Sequence, residues 1–536
     1  KPTASEECWI ARRGWVPRGG DWGLVAAGGM RHESSAASCC LGVAALFSSC
    51  RSESDGPDRG SCGMNRNLGG WKRSLSAFLL VLLFFCMSGC GSGSPTTTDG
   101  STNPPPLPKV YSVSTQADFT ALRQVTLNGG DQILFERGRH FDGYLSLKRS
   151  DVRPNTVITV ADYGSSGNPR PVIEADVDDM GAIDIRDSGG WLIEDLEIIN
   201  YSAQRSERFG VLVKATNSGR HENFVIRNCL IHDVSGEFDN RDNGGIVFRV
   251  TGESVPTWFD GVLLENNEIR DISGVGIRIK SVWQSSPSDP RGLSKQLGRY
   301  ALLNVVVRGN RVSNTTYNAI IIASADAPLA EYNTIGPNIS TEHTGNSLYF
   351  FATDSAVAQY NEAFGNTGPA TDKDRAGYDA DYGSRNTVFR YNYSHDNNFG
   401  FSIMRKYGDG IQIHHNISEN ERFAFFNYGF PSDNAVNDVV VSNNTFYSDQ
   451  PNMQMFRDFD KTRNPIETSF IDNIFVFAAG GATWGSEATA GRGNVFSNNI
   501  VIGLEEASYD GMTGDPLLAA PGIGGTDIDM SSSQIL

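Results

Sequence analysis

The sequence predicts an all-β solenoid, a coil of short parallel strands around one apolar core, on three observations. First, one phrase keeps returning: two or three apolar residues, one or two polar ones, an Asn or Asp, then alternating apolar positions. It appears as WLIEDLEI, FVIRNCLI, VLLENNEI, IQIHHNIS and VFSNNIV, among others. Second, its marks fall at Asp195, Asn228, Asn267, Asn310, Asn333, Asn361, Asn392, Asn416, Asn444, Asn473 and Asn499, spaced 23 to 43 residues apart. A minimum in the low twenties fits three short strands per turn, with loops inserted on one side. Third, neither a leucine ladder nor a helix-length 3.6-period stripe accompanies the repeat, which excludes leucine-rich and helical solenoids. Since connections between parallel strands take the right hand, the fold class is a single-stranded right-handed parallel β-helix of about eleven to thirteen rungs with a short N-terminal helical cap.

From the start of the chain, the first element that fits a known signal begins at Met64. A basic patch (Arg66, Lys72, Arg73), an apolar stretch from Leu75 to Met87 and then Met87-Ser88-Gly89-Cys90 have the order of a secretory signal peptide. The apolar stretch is shorter than the ~20 residues that a spanning helix needs. Because a signal belongs at the start of a chain, residues 1–63 read as upstream sequence from a mis-assigned start. The end of the segment resembles the bacterial lipobox. That resemblance implies a lipoprotein signal peptide over 64–89, lipidation at Cys90 and, with Gly91 rather than Asp next to it, passage to the outer membrane of a Gram-negative type cell. Residues 90–108 form a Gly/Ser/Thr/Pro tether that cannot bury a core, leaving 109–536 for the β-helix.

Five of the eight cysteines (Cys8, Cys39, Cys40, Cys50, Cys62) precede Met64 and Cys86 lies in the signal. Only Cys90 and Cys229 remain, so an exported body has no internal disulfide framework and depends on its core. Cys229, inside an apolar phrase, reads as a small core residue. From position 90 onward there are 35 basic and 55 acidic residues, a net charge of −20. That balance excludes nucleic acid as the main partner and leaves the membrane to the lipid anchor alone. Nothing in the sequence calls for an oligomer, so a monomer is expected.

At the head of the β-helix, DFTALRQV (Asp118 to Val125) has helical spacing and would cover the first rung. This start resembles that of pectate-lyase-like β-helices. Along the rungs, Asn suits the turn because it tolerates left-handed backbone and its amide can bond an identical neighbour one rung away. The repeated Asn residues are therefore expected to form an internal ladder.

A solenoid interior is filled by side chains, so any site must lie on an outer face. One strand column begins at Gly245, Gly276, Ala319, Ser347, Gly377, Gly400 and Phe423. Alternation along a strand then turns Arg278, Lys280, Tyr349, Phe351, Asp379, Asp381, Phe425 and Asn427 outward. Asp379 and Asp381 are two residues apart on one strand, roughly 6.5 to 7 Å between Cα atoms, with both carboxyls expected in solvent. Exposed aromatics at Tyr349, Phe351 and Phe425 beside paired acids suit stacking on sugar rings. Two carboxyls held close repel, so one keeps its proton as general acid while the other stays ionised, the division that glycoside hydrolysis needs. Asp372, Asp374, Glu342, His343 and Asp354 stand in reserve, with His343, Asn427, Lys280 and Arg278 as substrate-binding candidates. A hydrolase of this kind requires no cofactor.

The same cluster admits a Ca²⁺-dependent polysaccharide lyase, in which Asp372 and Asp374 join Asp379 and Asp381 around the ion and Arg405 or Lys406 removes the proton α to a uronate carboxylate. A third reading is a non-catalytic glycan-binding surface protein. The insertions of 33 to 43 residues per rung in the first half favour an enzyme, because they would build cleft walls. The segment Ala376 to Phe401 resembles the part of mannuronan C5-epimerases that carries a GFDPHE-type motif: Gly377-Tyr378-Asp379 fits its first three positions, while Asp381 stands where that family has histidine. It is also similar to the Asp-rich Ca²⁺ segment of β-helix pectate lyases, without the lysine base. The leading expectation is a secreted enzyme that cleaves glycosidic bonds in a polysaccharide, with Asp379 and Asp381 as its acids.

Overall fold

The computed structural model describes residues 107–151, 156–238, 240–283, 301–339, 345–369, 371–404, 408–429, 438–458, 467–485, 494–504 and 511–512. The signal, Cys90, Glu342, His343, Arg405 and Lys406 lie outside these residues.

The chain is a parallel β-helix. Each rung visits three sheets in turn, as in Trp258–Glu265 on sheet 1, Glu268–Ser273 on sheet 2 and Val275–Ser281 on sheet 3. Sheets 1 and 2 have fourteen strands each and sheet 3 has eleven among the described residues. Neighbouring strands pair in parallel along all three. Aliphatic and aromatic side chains from the inward positions fill one continuous core. Without disulfides in this body, burial of that core carries the stability.

The cap is the helix Gln116–Leu122, started by Thr115 and Asp118 in a reciprocal capping box. It buries Phe119 and Leu122, and the Phe119 ring stacks 5.5 Å from Phe141 and 6.1 Å from Phe135 on the first rungs.

The Asn ladder runs inside the corner between sheets 1 and 2. The side-chain amide of Asn267 donates to that of Asn310 at 3.0 Å, and the pattern continues through Asn333, Asn361, Asn392, Asn416, Asn444, Asn473 and Asn499. Each amide also reaches a backbone carbonyl, as Asn361 does to Ala330 at 2.9 Å, so these buried polar groups are satisfied. The ladder Asn residues are not the left-handed ones. The residue before each takes positive φ: Asn266, Gly309, Tyr332, Tyr360, Tyr391, His415, Asn443, Asp472 and Asn498. Asp195 and Asn228 belong to that preceding set, with φ of 60° and 54°. Their ladder places are filled by Leu196 and by Cys229, both buried, so the ladder starts at Asn267 and not at Asp195. Cys229 is a core residue as expected, and burial pushes its thiol up to about 12.

The outward column of sheet 3 has the predicted register over most of its length. Arg278, Ile321, Tyr349, Asp379, Ser402 and Asn427 lie opposite one another on successive strands, while Leu348, Phe350, Tyr378, Ala380, Phe401 and Ile403 enter the core. Phe425 departs from the expectation. Ala424 pairs with Phe399 and Phe426 with Phe401, so Phe425 and Phe426 both point inward in succession. The Phe425 ring lies 5.2 Å from Phe446 and from Phe477, and is fully buried. Gly400 on the rung before leaves the room: a side chain there would meet Ser418 Oγ and the Phe425 backbone.

Candidate active site

Four loops at the corner from sheet 2 to sheet 3 contribute Arg241, Asn318, Asn346 and Asp374, and the strand ends of sheet 3 contribute Tyr349, Asp379, Asp381, Tyr382 and Met404. Together they line a cavity of about 140 Å³. The loops enter sheet 3 on different rungs and converge because the strands they lead into are stacked one above another.

The floor is built from the strand Ala376–Ala380. Tyr378 anchors it from inside, its hydroxyl 2.8 Å from the Asn361 carbonyl and 3.0 Å from that of Tyr393. Alternation then turns Asp379 outward, but it is not solvated: at 1% exposure it lies beneath the loops. Asn346 Nδ2 donates to its Oδ2 at 2.6 Å, and its Oδ1 has no hydrogen-bond partner. Asp381, past the end of the strand, is partly exposed. It accepts from the Tyr382 N–H at 2.6 Å and from the Tyr349 hydroxyl. Asp374 comes from the turn before the strand and is also partly exposed. The pair expected in solvent is thus a recessed trio with one member covered.

Burial raises all three carboxyls. It is the largest cause for Asp379, followed by the charges of Asp381 and Asp374, which together hold this carboxyl far above the ordinary range. Burial lifts Asp381 to about 6 against the opposing hydrogen bonds of Tyr349 and the Tyr382 backbone. Asp374 rises through burial, with the Arg241 charge pulling the other way. The guanidinium of Arg241 lies 4.7 Å over the Tyr317 ring.

The remaining candidates separate. Phe351 is half-buried, 6.2 Å from the Tyr349 ring and edge-on to Tyr382 at 6.4 Å. Asn427 is buried, donating to the Lys373 carbonyl at 2.8 Å and to Ser402. Arg278 and Lys280, three strands along sheet 3, are tied to Asp242 at 3.0 and 2.8 Å, so the expected substrate contacts are internal ion pairs. Asp354 pairs with Arg385. Asp372 is paired with Arg375 through one carboxylate oxygen. Among the described residues no group of three or more His, Cys, Asp or Glu is spaced to hold a metal. Sequence reasoning missed Arg241, Asn318, Asn346, Tyr382 and Met404. Only Tyr382 and Met404 adjoin a residue it had selected.

Residues 257–446 match the family model of a right-handed β-helix region. This β-helix is 25% identical over 462 residues to a lacto-N-biosidase from Bifidobacterium longum subsp. longum, an alignment that covers 70% of this chain. The chain spans only 28% of the length of that relative. A crystal structure of the GH136 lacto-N-biosidase from Eubacterium ramulus superposes with a TM-score of 0.52 at 20% identity, over 74% of this chain and 68% of that one. That likeness establishes the shared right-handed parallel β-helix.

Proposed function

We propose that this β-helix is a glycoside hydrolase, with Asp374 and Asp381 as the reacting acids and Asp379 as the buried group beneath them. One observation carries the assignment: Asp374 and Asp381 reach the same cavity from two different elements and both are partly exposed, while Asp379 is covered. The first two offer partly exposed carboxyls to a sugar held in the cavity, and the third borders it from beneath. Asp381 receives two donors that favour its charged form and serves as the carboxylate. Asp374 is raised by burial and serves as the acid. Asp374 gives its proton to the glycosidic oxygen as the bond to the anomeric carbon breaks, and the leaving sugar departs as an alcohol. Asp381 stabilises the positive charge that grows on that carbon, water supplies the new hydroxyl, and the proton water gives up restores the acid. The lacto-N-biosidase relative supports hydrolysis as the reaction class. Polysaccharide or oligosaccharide is the substrate class, and export with anchoring through Cys90 places the enzyme where such glycans occur.

The test is incubation with a glycan panel with and without EDTA. The expected result is new reducing ends, unaffected by EDTA, with no ultraviolet absorbance from unsaturated uronate. That absorbance would instead mean elimination, and a shift in glycan mobility without cleavage would mean binding alone. Partition of a Cys90→Ser variant into the soluble fraction checks the anchor.

A further inference from the structure

The side chain of Asn346 joins both halves of the acid trio. Its Oδ1 accepts from the backbone N–H of Arg375 at 2.9 Å and of Ala376 at 2.8 Å. An amide whose oxygen meets two N–H donors cannot flip, because its NH₂ would then face them. Nδ2 must therefore point at Asp379, where it lies 2.6 Å from Oδ2. With Oδ2 fixed as an acceptor, a proton on Asp379 resides on Oδ1. Oδ1 is enclosed and has no hydrogen-bond partner, with Ser402 beside it in the register. The Asn346 amide and the Ser402 hydroxyl favour an ionised carboxylate there, but burial and the charge of Asp381 in the same cavity oppose it more strongly.

The other end of the amide bears on Asp374. Arg375 has φ of +89°, a conformation unfavourable for a side chain with Cβ, and it persists because the surroundings over-determine it. Asn346 Oδ1 takes the Arg375 N–H, the Arg375 guanidinium donates to the Thr367 carbonyl at 2.6 Å, and Asp372 closes the turn. Asp374 precedes this strained residue in the chain, so the direction of its carboxyl depends on the turn.

We propose that Asn346 is a positioning residue that fixes the proton of a neutral Asp379 on Oδ1 and pins the strained turn that presents Asp374. The reading rests on the glycosidase assignment for its kinetic part only. A neutral, hydrogen-bonded acid under the reacting pair leaves Asp381 as the one persistent negative charge in the cavity. Because an amide reproduces both its donor and its acceptor, Asp379→Asn retains kcat/KM within about 10-fold, while Asp374→Asn and Asp381→Asn lose about 10²-fold or more. Asn346→Ala lowers kcat by about 10- to 100-fold with KM nearly unchanged and displaces the alkaline limb of the pH profile.

Two measurements check this. The first is the pH dependence of kcat for the four variants. Asp379→Asn as inactive as Asp381→Asn, or an Asn346→Ala profile identical to the wild type, overturns the proposal. The second needs no turnover: in the infrared difference spectrum between the wild-type protein and Asp379→Asn at neutral pH, the band of one protonated carboxyl is expected to be lost, apart from those of Asp374 and Glu421. If that band and its loss are seen but no glycan is cleaved, the glycosidase reading fails and the protonation of Asp379 stands. If the band is missing, the proposal fails whatever the activity.

Discussion

The two polar corners of the coil obey different rules. At the corner from sheet 1 to sheet 2, each rung from Asn267 to Asn499 spends one left-handed residue and one inward Asn, and nothing is inserted. At the corner from sheet 2 to sheet 3, Thr315, Asn338, Asn366, Asn397 and Glu421 occupy the corresponding interior, and loops of several lengths enter there. The uniform corner keeps the rungs in register. The variable one delivers Arg241, Asn318, Asn346 and Asp374 to one cavity. Regularity at one corner is what permits irregularity at the other, because a rung held by the ladder does not depend on its loop.

If that division holds, substitutions at the two corners separate activity from stability. The largest effect is expected at the variable corner: Asp381→Asn reduces kcat/KM by about 10²- to 10⁴-fold, the usual contribution of a positioned acid or base, with an unchanged melting temperature. Next comes Asn361→Ala, which removes bonds to Asn333, Asn392 and the Ala330 carbonyl. It is expected to cost about 2–4 kcal/mol by leaving buried groups unpaired, read as a lower melting temperature with specific activity kept. A loss of activity in step with folded protein would show that the ladder also shapes the site.

How much of this was legible follows the same line. The β-helix could be read because the Asn phrase repeats, although its phase was misjudged by one residue at Asp195 and Asn228, where Asp and Asn serve the left-handed turn. Asp379 and Asp381 could be read from strand alternation, which fixes direction but says nothing of the loops above, so the burial of Asp379 was invisible. Phe425 was misread because two successive inward residues break the alternation. Arg241 and Asn346 sit in loops with no period at all, and Asn346 looks like any of the many other Asn residues until its amide is seen to touch both acid-bearing segments.

Two smaller effects sharpen the comparison. Arg241 lowers both Asp374 and Asp381, so Arg241→Gln raises both. The two limbs of the kcat/KM profile should move to higher pH, by about one unit or less. At the interior of the same corner, burial lifts Glu421 to about 7 although two serine hydroxyls and the Asn397 N–H oppose it. A carboxyl raised on folding binds its proton more tightly in the native state, so its contribution to stability declines as pH climbs from about 4.5 through about 7. Glu421→Gln should flatten the fall in melting temperature over that range, and an unaltered slope would place the titration elsewhere.

From Asn267 to Asn473, every ladder amide donates to the next ladder Asn toward the C-terminal end, and Asn499 closes the series as an acceptor. The rungs between them present the same polar socket above and below, so one could be duplicated or deleted in evolution and leave no unmatched amide. Rungs headed by Leu196 or Cys229 lack that interchangeable joint. A rung added or removed within the ladder therefore finds a matching joint, and the cavity lies in the same part of the coil, so the cleft could lengthen without a redesign of the core.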